Sequence, residues 1–397
     1  MTEAKRRSVL RRMPSGVWVL GFVSLFMDIS SEMIHSLLPL FMTDVLGAGA
    51  VAVGLVEGGA EAAALIVKIF SGLLSDWFGK RKALALFGYG LSALTKPFFA
   101  LAPGLGLVFA ARLVDRMGKG LRGAPRDALV ADLAPAGMRG AAFGLRQALD
   151  TVGAFLGPLL AMALMLHTRD NFRAVFWAAA IPAFLCVALL GFGLREPQHG
   201  AGGGRVNPIR RESLRRLGGA YWWVVIVGGI FALARFSEAF LVLHAQQTGV
   251  AIAFVPLVMA AMSLVYSATA FPFGRLADRF DRRLLLGFGL ILLIAADIAL
   301  ALAHHWSLVL VGLALWGLHM GATQGLLAAM VADAAPAELH GTGFGFFNLV
   351  QGIVALLASV LAGALWQKFG APATFAAGAL FSALALAALA ARPQAGG

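Results

Sequence analysis

Long apolar stretches separated by short polar ones run along the whole chain. Each stretch approaches or exceeds the roughly 20 residues that a helix needs to cross a lipid bilayer. Twelve such segments can be marked, at 17–42, 50–75, 83–102, 104–130, 141–166, 174–194, 219–245, 251–275, 284–303, 307–332, 342–367 and 372–391. The pattern predicts an all-α integral membrane protein with twelve transmembrane helices.

Composition agrees with this prediction. Of the 397 residues, 60% are hydrophobic and 13% are charged, whereas about a quarter of an average soluble domain is charged. The net charge of +12 arises mostly from lysines and arginines between the apolar segments, so we expect no nucleic-acid partner. The single cysteine, Cys186, lies inside an apolar segment and excludes an internal disulfide.

The basic loops predict how the chain is oriented. Basic residues concentrate in alternate loops, which the positive-inside rule assigns to the cytoplasm. Both termini are then cytoplasmic, and we expect the chain to be integral to the cytoplasmic membrane of a prokaryote. The predicted parts are a cytoplasmic N-tail at 1–16, a six-helix bundle at 17–194, a cytoplasmic connector at 195–217, a second six-helix bundle at 218–391 and a cytoplasmic C-tail at 392–397.

The two predicted bundles share sequence patterns. The stretch that begins G-L-L-S-D at Gly72 recurs as G-R-L-A-D at Gly274, and the A-D-x-x-P pattern at Ala131 recurs at Ala332. The offsets are 202 and 201 positions. This repetition predicts two homologous halves, as in transporters that rock about a central site.

The loop from Gly72 to Lys82 resembles the G-x-L-x-D-r-x-G-r-k signature of the major facilitator superfamily, with a degenerate copy at Gly274. The G-x-x-x-G-P pattern of Gly153, Gly157 and Pro158 is similar to the motif of that superfamily's proton-driven exporters. The resemblance implies a fold of two pseudo-symmetric six-helix bundles that work by alternating access. The fourth segment departs from the family pattern, because Asp115 and Arg116 replace the usual Gln-Gly, which resembles a separate prokaryotic branch.

The loop signature predicts a conformational latch at the cytoplasmic side. Its aspartate can accept hydrogen bonds from the free amides at the start of a neighbouring helix, which the resemblance implies is the eleventh. The alternative is a tight basic turn that serves topology alone. The expected latch residues are Gly72, Asp76, Gly79, Lys80, Arg81 and Asp278.

Ionisable residues inside the apolar segments are the candidates for chemistry. Each costs about 2.5–3.5 kcal/mol at the bilayer centre, so we expect them to face the bundle interior and to pair. Asp28, Glu32 and His35 share a stripe about 60° wide on the first helix. The residues expected to couple protons or line the substrate cavity are Asp28, Glu32, His35, Glu57, Glu61, Arg112, Arg116, Arg146, Asp150, Arg235 and Glu238.

Three finer expectations follow from these charges. Acids of the first two helices should face bases of the fourth and fifth, and Arg146 should pair with Asp150. Lys96, near a helix end, should extend its amine to the membrane surface. In the second half Arg235 and Glu238 should share one helix face, and Asp297 is either a lone buried acid or lies close to an interface.

The sequence therefore predicts a proton-coupled secondary transporter that exports a small organic solute. Two alternatives stay open: a carrier of metal ions or metal chelates, with Asp28, Glu32 and His35 as ligands, and proton-driven uptake of an organic anion. We find no enzyme motif such as a Walker loop or G-x-S-x-G and expect neither enzymatic activity nor a cofactor. The expected partners are a small-molecule substrate, protons and the lipid bilayer, with the chain as a monomer.

Overall fold

A computed structural model describes residues 12–78, 80–135, 138–195, 216–277, 279–323, 325–336 and 339–391, apart from the side chains of 72–78. Helices account for nearly all of the structure in these ranges, and no strand occurs in them. The N-tail before residue 12, most of the predicted connector and the C-tail after residue 391 lie outside the described residues.

The first half of the chain forms six long helices. Their bounds are α1 Ser15–His35, α2 Ala50–Phe78, α3 Arg81–Leu101, α4 Leu105–Leu133, α5 Arg139–Thr168 and α6 Phe172–Gly193. A short helix at Leu38–Leu40 and a π-helical turn at Phe41–Val45 continue the path of α1. Four of the six contain an internal proline, whereas α1 and α2 contain none. The prolines inside α3, α4, α5 and α6 are Pro97, Pro125, Pro158 and Pro182.

The second half repeats this arrangement. Its helices are α7a Gly219–Ala234, α7b Ala239–Gln247, α8 Pro256–Ala277, α9 Arg282–Ala301, α10a Trp306–Thr323, α10b Leu326–Ala334, α11 His340–Phe369 and α12 Ala371–Ala390. A short 3-10 turn at Ile252–Phe254 precedes α8.

Eleven helical stretches among the described residues are long and apolar enough to cross a membrane. The twelfth is α4, whose 29 residues are also long enough. It is the least apolar of the twelve, because it holds more charged residues than any of the others. The predicted all-α fold with twelve transmembrane helices is therefore confirmed.

Three of the predicted continuous helices are interrupted. The first segment loses regular helical structure after His35, and the seventh loses it between Ala234 and Ala239. The tenth is also divided, at the end of α10a, and Gly325 adopts a left-handed conformation with a φ of 71°. Periodicity did not show these breaks, because the segments on both sides of each break are apolar. Broken helices are common around the binding sites of transporters.

The described chain forms two compact units. The first gathers Met1–Ile34 and Phe70–Val206, and the second gathers His35–Ile69 and Asn207–Gly397. The end of the first segment and most of α2 thus belong to the second unit. The boundary between six-helix halves at 195–217 stays a prediction.

Equivalent contacts in the two units support the internal repeat. A Cβ atom placed on Gly88 of α3 would lie 2.9 Å from the carbonyl oxygen of Gly118 in α4. One placed on Gly289 of α9 would lie 2.2 Å from Cγ2 of Thr323 in α10a. Gly88 and Gly289 are 201 positions apart, and small residues allow close helix packing in both units.

Candidate functional site

The glycine motif of α5 packs directly against the acidic stripe of α1. A Cβ atom on Gly153 would lie 2.5 Å from the carbonyl oxygen of Leu25 and 3.1 Å from Cβ of Asp28. One on Gly157 would lie 2.8 Å from Cβ of Glu32. The absence of side chains at the two glycines therefore allows the helices to approach at the two acids, and Pro158 is buried beside them.

Asp28 lies among charged groups of the first unit. The charges that act on it come from Asp150 of α5 and from Lys119 and Arg122 of α4. Arg146 Nη1 lies 3.5 Å from Asp150 Oδ1, as the spacing of four residues predicts. An acid of the first helix therefore does lie near bases of the fourth.

A buried ion pair joins α3 to α4. Lys96 Nζ lies 3.0 Å from Asp115 Oδ1, and the lysine side chain is 1% exposed. Arg112 Nη1 lies 3.8 Å from the other carboxylate oxygen of Asp115. The prediction that Lys96 reaches the membrane surface is wrong, because a carboxylate one helix away holds its amine inside the unit.

Neutral groups complete this network. Lys96 Nζ also lies 3.3 Å from the hydroxyl of Ser31 on α1, and Arg122 Nη1 donates a hydrogen bond of 2.6 Å to the hydroxyl of Ser92. The sequence analysis left Lys96, Asp115 and Arg122 out of the candidate site. The signal for them was the departure of α4 from the family pattern, where an acid follows Arg112 by three positions.

The remaining candidates of the first half are distributed over both units. In the second unit, His35 Nε2 lies 3.8 Å from Glu57 Oε2, and Glu57 is buried. Glu61 is exposed on α2. In the first unit, Arg112 is buried and Arg116 is half-buried on α4.

Arg235 and Glu238 do not share a helix face. Both lie in the interruption between α7a and α7b, where Arg235 is exposed and its guanidinium carbon lies 5.8 Å from the centre of the Phe231 ring. The expectation of one face is wrong because the helix ends at Ala234. The backbone amide of Ser237 in the break donates a hydrogen bond of 3.2 Å to the hydroxyl of Ser359 on α11.

The expected latch is only partly within the described structure. Gly79 and Asp278 lie outside the described residues, as does the side chain of Asp76, and Gly72 lies within α2. Lys80 is exposed just before α3, and Arg81 forms an ion pair with Asp132 near the end of α4. The sequence analysis did not assign Asp132 a partner.

The same pair occurs in the second unit. Arg282 at the start of α9 forms an ion pair with Asp333 of α10b. Arg282 stands 201 positions after Arg81, and Asp333 stands 201 positions after Asp132. The repeated A-D-x-x-P pattern was the sequence signal for both aspartates.

In the second unit, α2 packs closely against α11. A Cβ atom on Gly54 would lie 2.1 Å from the carbonyl oxygen of Ser359, and one on Gly363 would lie 2.4 Å from that of Ala50. These contacts lie at the end of α2 that is predicted to face outward. Since Ser359 also binds the break in α7, three elements meet at this serine.

A polar pocket of about 420 Å³ lies beside this contact. Asp44 Oδ2 accepts a hydrogen bond of 2.6 Å from Nε2 of Gln246, which links the end of the first segment to α7b. The lining residues are Thr43, Asp44, Ala50, Leu243, Gln246, Gln247, Trp366, Gln367 and Gly370.

The described residues contain no group of three or more His, Cys, Asp or Glu side chains placed to hold a metal ion. The set of Asp28, Glu32 and His35, considered above as metal ligands, is therefore not gathered into such a group. His35 lies instead beside Glu57.

Comparison with known proteins identifies the family. The model of the Major Facilitator Superfamily matches residues 20–245 and 224–396. An uncharacterized MFS-type transporter of Methanocaldococcus jannaschii is 32% identical over 365 residues, which cover 90% of each chain. The chain belongs to the Major Facilitator Superfamily and is an integral membrane transporter.

Two further similarities bear on fold and function. The inward-facing, occupied crystal structure of a bacterial homolog of the human lysosomal transporter Spinster has a TM-score of 0.77, with 16% identity, and covers 94% of this chain and 95% of that one. A multidrug resistance protein of Photorhabdus laumondii is 30% identical over 42% of this chain and 40% of its own length. The first similarity concerns the fold alone.

Proposed function

We propose that this protein is a proton-coupled secondary transporter that exports a small organic solute by alternating access. The observation that carries the proposal is the contact between the glycine motif of α5 and the acids of α1. Asp28 and Glu32 stand where α1 lies against Gly153 and Gly157 of α5. A change in the packing of these helices would change the surroundings of both carboxyl groups.

The proton would be held among the carboxyl groups of the first unit. Asp28 lies near Asp150 of α5 and near Lys119 and Arg122 of α4. Two neighbouring carboxyl groups hold one proton more readily than two separate ones do, because two negative charges repel each other. Movement of the bases relative to Asp28 would then release the proton.

Export is the direction that we propose, on two grounds. The motif of Gly153, Gly157 and Pro158 is similar to that of proton-driven exporters in the superfamily. The partial similarity to a multidrug resistance protein points the same way.

The test is electrical recording from purified protein in proteoliposomes on a solid-supported membrane, across a panel of organic solutes and metal ions. We expect currents with at least one organic solute, with an amplitude that depends on the proton gradient. The pH dependence should be lost in Asp28→Asn or Glu32→Gln. Asp127→Asn is the matched control, because this acid is 47% exposed and pairs with its neighbour Arg126.

A pH dependence that is unchanged in both Asp28→Asn and Glu32→Gln would contradict the assignment of these acids. Currents with metal ions alone would contradict the organic substrate. Currents whose amplitude does not change with the proton gradient would contradict proton coupling.

Uptake or export of an organic anion is the second candidate, and the buried charge of the first unit favours it. Among the described residues of this unit the buried bases are Lys96, Arg112, Arg122 and Arg146, and the buried acid is Asp115. An anionic substrate would compensate this excess of positive charge. In the same recordings, a response restricted to anionic solutes would support this candidate.

A further inference from the structure

A carboxyl group is buried without a partner in the second unit. Asp297 of α9 is 0% exposed. Neither of its carboxyl oxygens has a hydrogen-bond partner among the described residues. An ionised carboxylate is costly to bury unless it is paired and hydrogen-bonded, and it is also costly within a membrane.

The internal repeat shows how unusual this position is. Asp297 stands 201 positions after Lys96, and Trp316 stands 201 positions after Asp115. In the first unit these two positions form the buried ion pair between α3 and α4. The equivalent positions of the second unit hold an acid and a tryptophan. Asp297 therefore has no oppositely charged residue at the position that corresponds to its partner in the first unit.

The titratable groups on the neighbouring elements have other contacts. His319 of α10a interacts through Nδ1 with the carbonyl oxygen of Gly289, and His244 of α7b through Nε2 with that of Leu300. No titratable residue occurs in α12. The other charged groups on elements near α9 are Arg235 and Glu238 in the break of α7 and Asp333, which pairs with Arg282.

The break in α7 reaches this carboxyl group. A Cβ atom on Gly378 of α12 would lie 2.7 Å from Asp297 Oδ2 and 3.0 Å from Cε1 of Phe236. The acid and the phenylalanine thus meet at Gly378. Phe236 lies between α7a and α7b and is 4% exposed, so a rearrangement of the break would move a ring that lies against the same glycine as the acid.

We infer that Asp297 binds a proton in this conformation and that Phe236, in the break of α7, controls its release. On release the O–H bond breaks, its electron pair stays on the carboxylate, and the proton passes to water that enters when Phe236 moves. The inference rests on the proposed proton coupling, since it adds a proton-binding carboxyl group in the second half of the chain.

Infrared spectroscopy of the purified, membrane-reconstituted protein tests this directly, without a substrate. We expect wild type at neutral pH to show the C=O stretching band of a protonated carboxyl group that is missing in Asp297→Asn. The band should disappear as pH rises. In Phe236→Ala it should disappear at a pH lower by about one unit or more, which is a tenfold change in proton affinity.

Phe240→Ala is the matched control, because Phe240 is also buried, contacts Phe236 and Trp366, and lies in α7b rather than in the break. Phe236→Leu retains an apolar side chain and tests the same point if the alanine variant does not fold. The inference is overturned if wild type and Asp297→Asn give the same carboxyl bands. It is also overturned if the Asp297 band persists up to the pH of unfolding in both wild type and the Phe236 variants.

These outcomes are independent of the proposed function of Asp28 and Glu32. Substrate currents that lose their pH dependence in Asp28→Asn concern the first unit alone. A missing Asp297 band, with such currents intact, overturns only the inference about the second unit.

Discussion

At the scale of single residues, the buried charges of the first unit are arranged around Asp115. Lys96 and Arg112 both approach its carboxylate, at 3.0 and 3.8 Å. Removing one partner of a buried ion pair leaves an uncompensated charge, whereas removing both leaves none. The pair therefore gives a prediction about stability that does not depend on the substrate.

We expect Asp115→Asn to lower the free energy of unfolding by about 3–5 kcal/mol, since it leaves the buried Lys96 amine without its carboxylate. Lys96→Met should have an effect of similar size for the converse reason. The double variant should lose less than the sum of the two. The measurement is a double-mutant cycle in chemical denaturation of the detergent-solubilised protein, and strictly additive effects would show that the pair is not coupled.

The ion pair between Arg81 and Asp132 is more exposed, so we expect a small contribution to stability, about 0–1 kcal/mol. Its role in the proposed latch is tested by charge reversal. Arg81→Asp alone should reduce transport current, and Arg81→Asp with Asp132→Arg should restore it. Failure of the double variant to recover, with normal folding by size-exclusion chromatography, would count against the pair as part of the latch.

At the scale of helices, glycines allow close local contacts between particular elements. Gly153 and Gly157 place α5 against α1, while Gly54 and Gly363 lie at the contact of α2 with α11. Small residues are typical of close contacts between membrane helices, where packing rather than the hydrophobic effect favours association.

Gly157→Ala should lower stability by about 1–3 kcal/mol, because the added methyl group would crowd the carbonyl oxygen of Ile29 and the side chain of Glu32. Gly144→Ala on the same helix is the matched control, since no atom lies within 4 Å of its new methyl group. It should be neutral or stabilising by up to about 1 kcal/mol, because alanine favours helix more than glycine does. Equal effects in thermal or denaturant unfolding would contradict the close contact.

At the scale of the whole molecule, the division into compact units does not follow the sequence repeat. His35–Ile69 belongs to the first half by repeat but to the second unit by contact. The contacts of α2 with α11 and of Asp44 with Gln246 explain this assignment. Alternating access requires contacts of this kind to form in one state and separate in another.

A crosslink between positions 44 and 246 should therefore block transport. We expect Asp44→Cys with Gln246→Cys, in a Cys186→Ala background, to be joined by a short bis-methanethiosulfonate linker that abolishes the substrate current, and reduction should restore it. The hydrogen bond of 2.6 Å joins the ends of the two native side chains, so a linker of similar length can span the two positions. Each single-cysteine variant is a control, and full transport by the crosslinked protein would show that this contact need not open.

Much of the fold could be predicted from the sequence, because membrane crossing depends on local properties. Twelve apolar stretches, the repeated motifs and the family signature each lie within short windows of sequence. The breaks in the first and seventh helices could not be predicted, because the segments on both sides of each break are apolar and together long enough for one continuous helix. The ion pair of Lys96 with Asp115 was also missed, because its residues come from different helices.

The sequence by itself determined the membrane class, the number of helices, the internal repeat and the family, since hydrophobicity and motif spacing act locally. Only the tertiary structure decided which charges meet. It placed the glycines of α5 against Asp28 and Glu32, joined Lys96 to Asp115, and left Asp297 buried beside Phe236. The physical reason is that the cost of a buried charge depends on its neighbours in space, which the order of residues along the chain does not specify.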